Sequence, residues 1–112
     1  MKIGYARVSS FEQNLDMQMD ALNKEDCRQI FTDKVSGTKS SKPAFEKLLE
    51  SARAGDTIVV WKLDRLGRNT VRLIELVEEL AKRKINLKSL SEQVDTTTAT
   101  GNLFFQFMCI LA

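Results

Sequence analysis

The sequence predicts an α/β domain with a mostly parallel central sheet flanked by helices. Apolar strand-like runs alternate with helical patterns along it, which is the mark of a parallel sheet. At 112 residues the chain has room for one domain and a real core, but not for two. Within the first run the side chains alternate in kind. Gly4, Ala6 and Val8 are small and apolar, as expected beneath a packed helix, while Tyr5, Arg7 and Ser9 share the opposite face.

The elements follow in order. Strand-like runs are expected at Ile3–Val8, Gln29–Asp33, Thr57–Leu63 and Asn86–Leu90. A first helix follows Ser10, which stands three residues before Gln13 in the spacing of a capping box. Its apolar stripe is Leu15, Met19 and Leu22. A second helix starts at Pro43, a favoured first helical residue, buries Phe45, Leu48, Leu49 and Ala52, and stops at Gly55. A third runs from about Asn69 to Lys84 on a core face of Leu73, Val77, Leu80 and Ala81. Lys82, Arg83 and Lys84 close it, where positive charge suits the helix dipole. Between the second strand and the second helix, Lys34 to Lys42 is small, polar and basic, without periodicity. It reads equally as a plain surface connector and as an anion-contacting loop with three lysines.

The last stretch differs from the rest. No residue after Asp95 carries a side-chain charge, and Leu103, Phe104, Phe105, Phe107, Met108, Ile110 and Leu111 wrap most of a helix circumference. Such a helix must be covered on more than one side, and a domain this small offers one. The expected division is therefore an α/β core over 1–98 and the beginning of an oligomerisation helix over 99–112, cut from a longer protein. Composition limits the alternatives. A formal charge of +2 is too small to argue for nucleic acid by itself. No apolar stretch reaches membrane-spanning length, and Met1-Lys2 leads straight into a strand without a signal-peptide pattern. Cys27 and Cys109 lack metal spacing and read as reduced thiols of a cytoplasmic protein.

Two clusters carry chemistry. At the end of the first strand, Tyr5, Arg7 and Ser9 put a hydroxyl beside a guanidinium on a face that is costly to bury without purpose. The chain has no histidine, so the usual base for activating a serine is missing. A serine among arginines suits an anionic substrate, with phosphate the obvious candidate. Past the third strand, Lys62-Leu63-Asp64-Arg65-Leu66-Gly67-Arg68-Asn69 packs two arginines and an aspartate before the next helix. Ligands of open α/β sheets bind beyond the carboxyl ends of strands, so neighbouring strands would turn both clusters to one crevice. Three guanidiniums, Arg7, Arg65 and Arg68, would stabilise the extra charge of a pentacovalent phosphoryl transition state. Taken singly, a serine at a strand end is more often a helix cap and an Asp-Arg pair a surface ion pair. The combination raises the odds.

These motifs together resemble the catalytic domain of the serine recombinases, the resolvase and DNA-invertase family. The matching strings are Gly4-Tyr5-Ala6-Arg7-Val8-Ser9-Ser10, Gln13-Asn14-Leu15-Asp16-Met17-Gln18, Ile30-Phe31-Thr32-Asp33-Lys34-Val35-Ser36-Gly37 and Lys62-Leu63-Asp64-Arg65-Leu66-Gly67-Arg68. Gly101 to Ala112 is similar to the start of that family's long dimerisation helix. The resemblance implies that Ser9 attacks a backbone phosphate of double-stranded DNA, forming a 5′-phosphoserine link and freeing a 3′-hydroxyl. Arg7, Arg65 and Arg68 would hold the phosphate, Tyr5 and Gln18 would support the site, and Asp64 would orient arginines or move a proton. Ser36 would lie on the loop nearby. No metal or other cofactor is implied, and the partners would be DNA and the chain itself, as a dimer and then a synaptic tetramer.

One position departs from the pattern. Lys42 stands before Pro43 where the family usually has arginine, keeping the charge but losing the planar fork. The resemblance covers the catalytic domain and not the family's helix-turn-helix domain, so specific DNA binding by these 112 residues alone is expected to be poor. The base that deprotonates Ser9 stays open. Two other readings stand beside the recombinase: a non-catalytic oligomerisation module of a DNA-binding protein, resting on the uncharged terminal helix, and a phosphohydrolase, weakened by the lack of a residue suited to activate water.

Overall fold

Side-chain alternation in the first nine residues builds the middle of a sheet. In a computed structural model the chain is described over residues 1–9, 15–35, 43–66, 70–99, 101, 103 and 107, with the side chains of residues 9, 35, 64 and 70 outside that description. The elements run β1 (Lys2–Ser9), α1 (Leu15–Lys24), β2 (Gln29–Val35), α2 (Pro43–Ser51), β3 (Thr57–Val60), a 3-10 turn (Leu63–Arg65), α3 (Thr70–Lys82), β4 (Asn86–Ser89) and β5 (Val94–Asp95). The sheet order is β2-β1-β3-β4-β5. The first four strands are parallel, and β5 returns antiparallel to β4.

Both faces of β1 are covered, by different partners. Gly4 and Ala6 lie on the α1 side, where Ala6 packs with Leu22 and Val59. A Cβ on Gly4 would meet Ile30 Cγ1 at 3.1 Å, Cys27 Sγ at 3.2 Å and Leu22 Cδ1 at 3.3 Å, so a side chain there would push these neighbours back by a few tenths of an ångström. Ile3 and Tyr5 face the larger cluster, which holds Phe45 and Leu48 of α2 with Leu73 and Leu80 of α3. Fully burying an aliphatic or aromatic side chain stabilises a fold by about 1.5–3 kcal/mol, so this cluster is the main source of cohesion.

Several expected details change. The third strand ends at Val60 rather than Leu63, because the chain bends at Trp61 and turns inward. In the 3-10 turn that follows, positions three apart eclipse, which sends both Leu63 and Leu66 into the core. β1 and β2 extend past their expected ends to Ser9 and Val35, whereas β4 stops at Ser89. β5 was not anticipated; two residues carry no readable period. α2 ends at Ser51, before the expected stop at Gly55, which has a φ of +94°. Ala81 of α3, expected in the core, is exposed; Leu73 and Leu80 are buried, with Ile74, Leu76 and Val77 packed against them. Arg83 serves a neighbouring helix rather than its own. Its Nη2 donates to the carbonyls of Leu49 at 2.6 Å and Ala52 at 3.1 Å, at the end of α2. The proposed capping box of Ser10 and Gln13 lies outside the described residues.

Residues 99, 101, 103 and 107 are helical, and Leu103 and Phe107 are 70% and 56% exposed. Gly101 permits the entry to this segment, since a Cβ there would stand 2.0 Å from the Asp95 carbonyl oxygen. Among the described residues no helix is long and apolar enough to cross a membrane.

Candidate active site

The first strand and the turn that opens the second cluster lie side by side because β1 and β3 are neighbours. Their ladder pairs Lys2 with Thr57 through Tyr5 with Val60, and there β3 stops. β1 continues to Ser9, paired only with β2, whose Val35 stands opposite Ser9. The 3-10 turn bearing Asp64 and Arg65 packs against β1 in the space that β3 leaves. In sheet order this is the place where successive connections run to opposite sides, the crevice where open α/β sheets bind ligands.

Ending β3 early exposes one edge of residues 6–9, and Gln18 closes it. Its Nε2 donates to the Arg7 carbonyl at 3.1 Å, and its Oε1 accepts from the Arg7 amide at 3.3 Å. This is the two-way amide pair that another strand would make, supplied by a side chain of α1. Gln18 is fully buried. Its amide fixes the backbone of Arg7, two residues before Ser9.

Tyr5 is likewise fully buried, so it stands behind the site rather than in it. Its hydroxyl donates to Asp33 Oδ2 at 2.8 Å, and its ring lies 4.9 Å from that of Phe45, tilted by 57°. Burial first, then the hydrogen bond and charge of Asp33, push the phenol far above its ordinary value, with Arg7 pulling weakly the other way. A phenol held this way is a donor, not a base.

Asp33 is the organising residue that sequence reasoning missed. It is 4% exposed and pairs with Arg7 in the β1–β2 ladder. Besides the Tyr5 hydroxyl, its carboxylate accepts the amides of Ala44 at 2.9 Å and Phe45 at 3.1 Å, the first-turn donors of α2. One carboxylate thus ties β1, β2 and α2 together, at both ends of the basic segment between strand and helix. A readable signal existed: Asp33 shares the parity of Phe31, which directs it to the covered face.

Arg7 and Arg65 are both half-buried. The backbones of Ser9 and Asp64 are placed at the β1 end and in the 3-10 turn, while their side chains lie outside the description. Arg68, Ser36 and Lys42 lie outside the described residues.

The chain has relatives among known proteins. The family model described as the resolvase N-terminal domain matches residues 2–112. The chain belongs to the resolvase family. It is 51% identical over 114 residues to the transposon Tn552 DNA-invertase BinR of Staphylococcus aureus, covering all of this chain and 59% of that protein. It is 50% identical over 112 residues to the serine recombinase gin of Escherichia phage Mu, covering all of this chain and 58% of that one. This resolvase-type chain thus spans less than two thirds of the length of the curated relatives it matches. Among solved structures, the N-terminal catalytic domain of TP901-1 integrase superposes with a TM-score of 0.78 at 32% identity, over 99% of this chain and 93% of that one. A resolvase-family site-specific recombinase from Streptococcus pneumoniae shares the fold, with a TM-score of 0.69 at 18% identity. The expected fold class and family are both borne out.

Proposed function

We propose that this chain is the catalytic portion of a serine site-specific recombinase acting on double-stranded DNA. The observation that supports the reading is the packing of the Asp64–Arg65 turn against β1, the strand that runs on to Ser9. Ser9 Oγ attacks a backbone phosphorus and gives up its proton, and the 3′-oxygen leaves and is protonated as a 3′-hydroxyl. One phosphoester bond forms as another breaks, so religation needs no outside energy. Arg7, Arg65 and Arg68 hold the phosphate and take up the charge of the pentacovalent state. Asp64 orients these arginines or moves a proton, and Ser36 and Lys42 contact the DNA from the basic segment. Tyr5 and Gln18 act from behind, through Asp33 and the Arg7 backbone.

On this reading residues 1–98 are the catalytic core, and 99–112 begin a helix through which copies of the protein associate, first as dimers and then as a synaptic tetramer. The exposed Leu103 and Phe107 favour that role for the helix. The protein works where bacterial or plasmid DNA is, in the cytoplasm. The test uses a protein of the relatives' length carrying this chain, incubated with its recombination site and quenched in detergent. A protein–DNA adduct should form, persist in Ser10→Ala and vanish in Ser9→Ala. No adduct, or one that survives Ser9→Ala, would remove Ser9 as the nucleophile.

A further inference from the structure

The 3-10 turn that carries Asp64 and Arg65 lacks a cap of its own. Lys62, which precedes it, is extended at φ −141° and ψ 152°, and its side chain makes no capping hydrogen bond. The first amide of the turn, Leu63 N, is answered instead by Glu92, 29 residues away, with both carboxylate oxygens at 3.4 Å. Glu92 is itself held. The hydroxyl of Ser89, which is 1% exposed, donates to Glu92 Oε1. The loop after β4 is zipped to the end of β3 by two backbone bonds, Leu90 N to Val60 O at 3.0 Å and Ser91 N to Trp61 O at 2.8 Å. Gln93, at φ 56°, then turns the chain back into β5. On its other side the turn is pinned by the buried Leu63 and Leu66.

We propose that Glu92 is a positioning residue for the recombination reaction, fixing the Asp64–Arg65 turn against the β1 strand end. The proposal rests on the reading of that turn as the holder of the scissile phosphate. A short helical turn is marginal by itself, and its direction depends on what meets its first amides. A carboxylate offers two acceptor oxygens and a charge that favours the positive end of the turn. The neutral amide of glutamine keeps one acceptor in the same place. Truncation to alanine leaves Leu63 N and the Ser89 hydroxyl without that partner.

Two measurements test this on a protein of the relatives' length carrying the chain. The first is the rate of phosphoserine adduct formation at saturating DNA. Glu92→Ala should slow it about 10- to 100-fold, the scale of a misplaced catalytic group. The half-saturating DNA concentration should stay within about twofold, and Glu92→Gln should recover most of the rate. The second is amide hydrogen exchange, in which Leu63 should exchange about tenfold faster in Glu92→Ala while amides of β1 and α2 keep their wild-type rates. An unchanged adduct rate beside an active wild type would overturn the proposal, as would a loss matched by general acceleration of exchange. If the wild type forms no adduct, the phosphate reading fails by itself. The Leu63 exchange rate then still decides whether Glu92 holds the turn, and an unchanged rate overturns that too.

Discussion

Tyr5 is the sole tyrosine of the chain, and its burial decides what it can do. A phenol with a raised ionisation point stabilises the fold below its ordinary titration near pH 10, and that contribution is lost as pH rises beyond it. Tyrosinate absorbance should accordingly stay flat through about pH 10–11 and appear only with unfolding. A smooth titration centred near pH 10 in the folded protein would contradict the Tyr5–Asp33 bond. Gln18 makes an equally specific demand. Gln18→Ala removes both partners of the Arg7 backbone and leaves a cavity, so denaturant unfolding should show a loss of about 2–4 kcal/mol. A loss below about 0.5 kcal/mol would mean that water replaces the amide.

At the scale of elements, the short β3 is the feature from which the site follows. Its early end opens the edge of β1, admits the Gln18 amide and leaves room for the 3-10 turn. The sequence showed the strand and its charged successor but not where one became the other. Trp61-Lys62-Leu63 reads as strand by composition, and only the burial of Leu63 and Leu66 together marks the turn. That Tyr5 and Ala6 face opposite sides of the sheet was legible from alternation alone, since period two sorts small residues from polar ones without knowledge of neighbours. The adjacency of β1 and β3 was a condition the sequence could state but not settle, because strand order depends on how distant elements pack. Asp33 and Glu92 escaped notice for a related reason. Each accepts backbone amide hydrogen bonds from an element remote in sequence: parity with Phe31 could assign Asp33 its face, but no local pattern names the partner amides. Arg83 does the converse, donating to backbone carbonyls of a remote element. Arg83→Ala strips the partner from the carbonyls of Leu49 and Ala52 at the end of α2, and chemical denaturation should record a loss of about 1–2 kcal/mol. An unchanged midpoint would show that solvent serves those carbonyls as well.

Across the whole molecule, charge and apolar surface are divided by position. Arg7 and Arg65 stand toward the carboxyl ends of β1 and β3, while at the opposite end of the sheet Glu25 pairs with Lys88 at 2.7 Å and Lys2 at 3.5 Å. The hydrogen bond from Lys88, more than either lysine's charge, holds the Glu25 carboxyl below its ordinary range. Its stabilising effect is therefore present above about pH 4.5 and fades as pH falls below it. Glu25→Gln should cost under about 1 kcal/mol at pH 7 and nothing measurable at pH 3, as thermal melts at the two values would record. An equal cost at both would contradict the ion pair. The uncharged stretch after Asp95 gathers the apolar surface in turn, with Leu103 and Phe107 turned to solvent. The central claim is that Ser9 joins DNA to protein, and mass spectrometry of the protease-digested adduct tests it most directly. The expected peptide carries a nucleotide through its 5′-phosphate on Ser9, beside DNA ending in a free 3′-hydroxyl. A nucleotide mapped to Ser10 or another residue, or cleaved DNA with a free 5′-phosphate and unmodified protein, would contradict it.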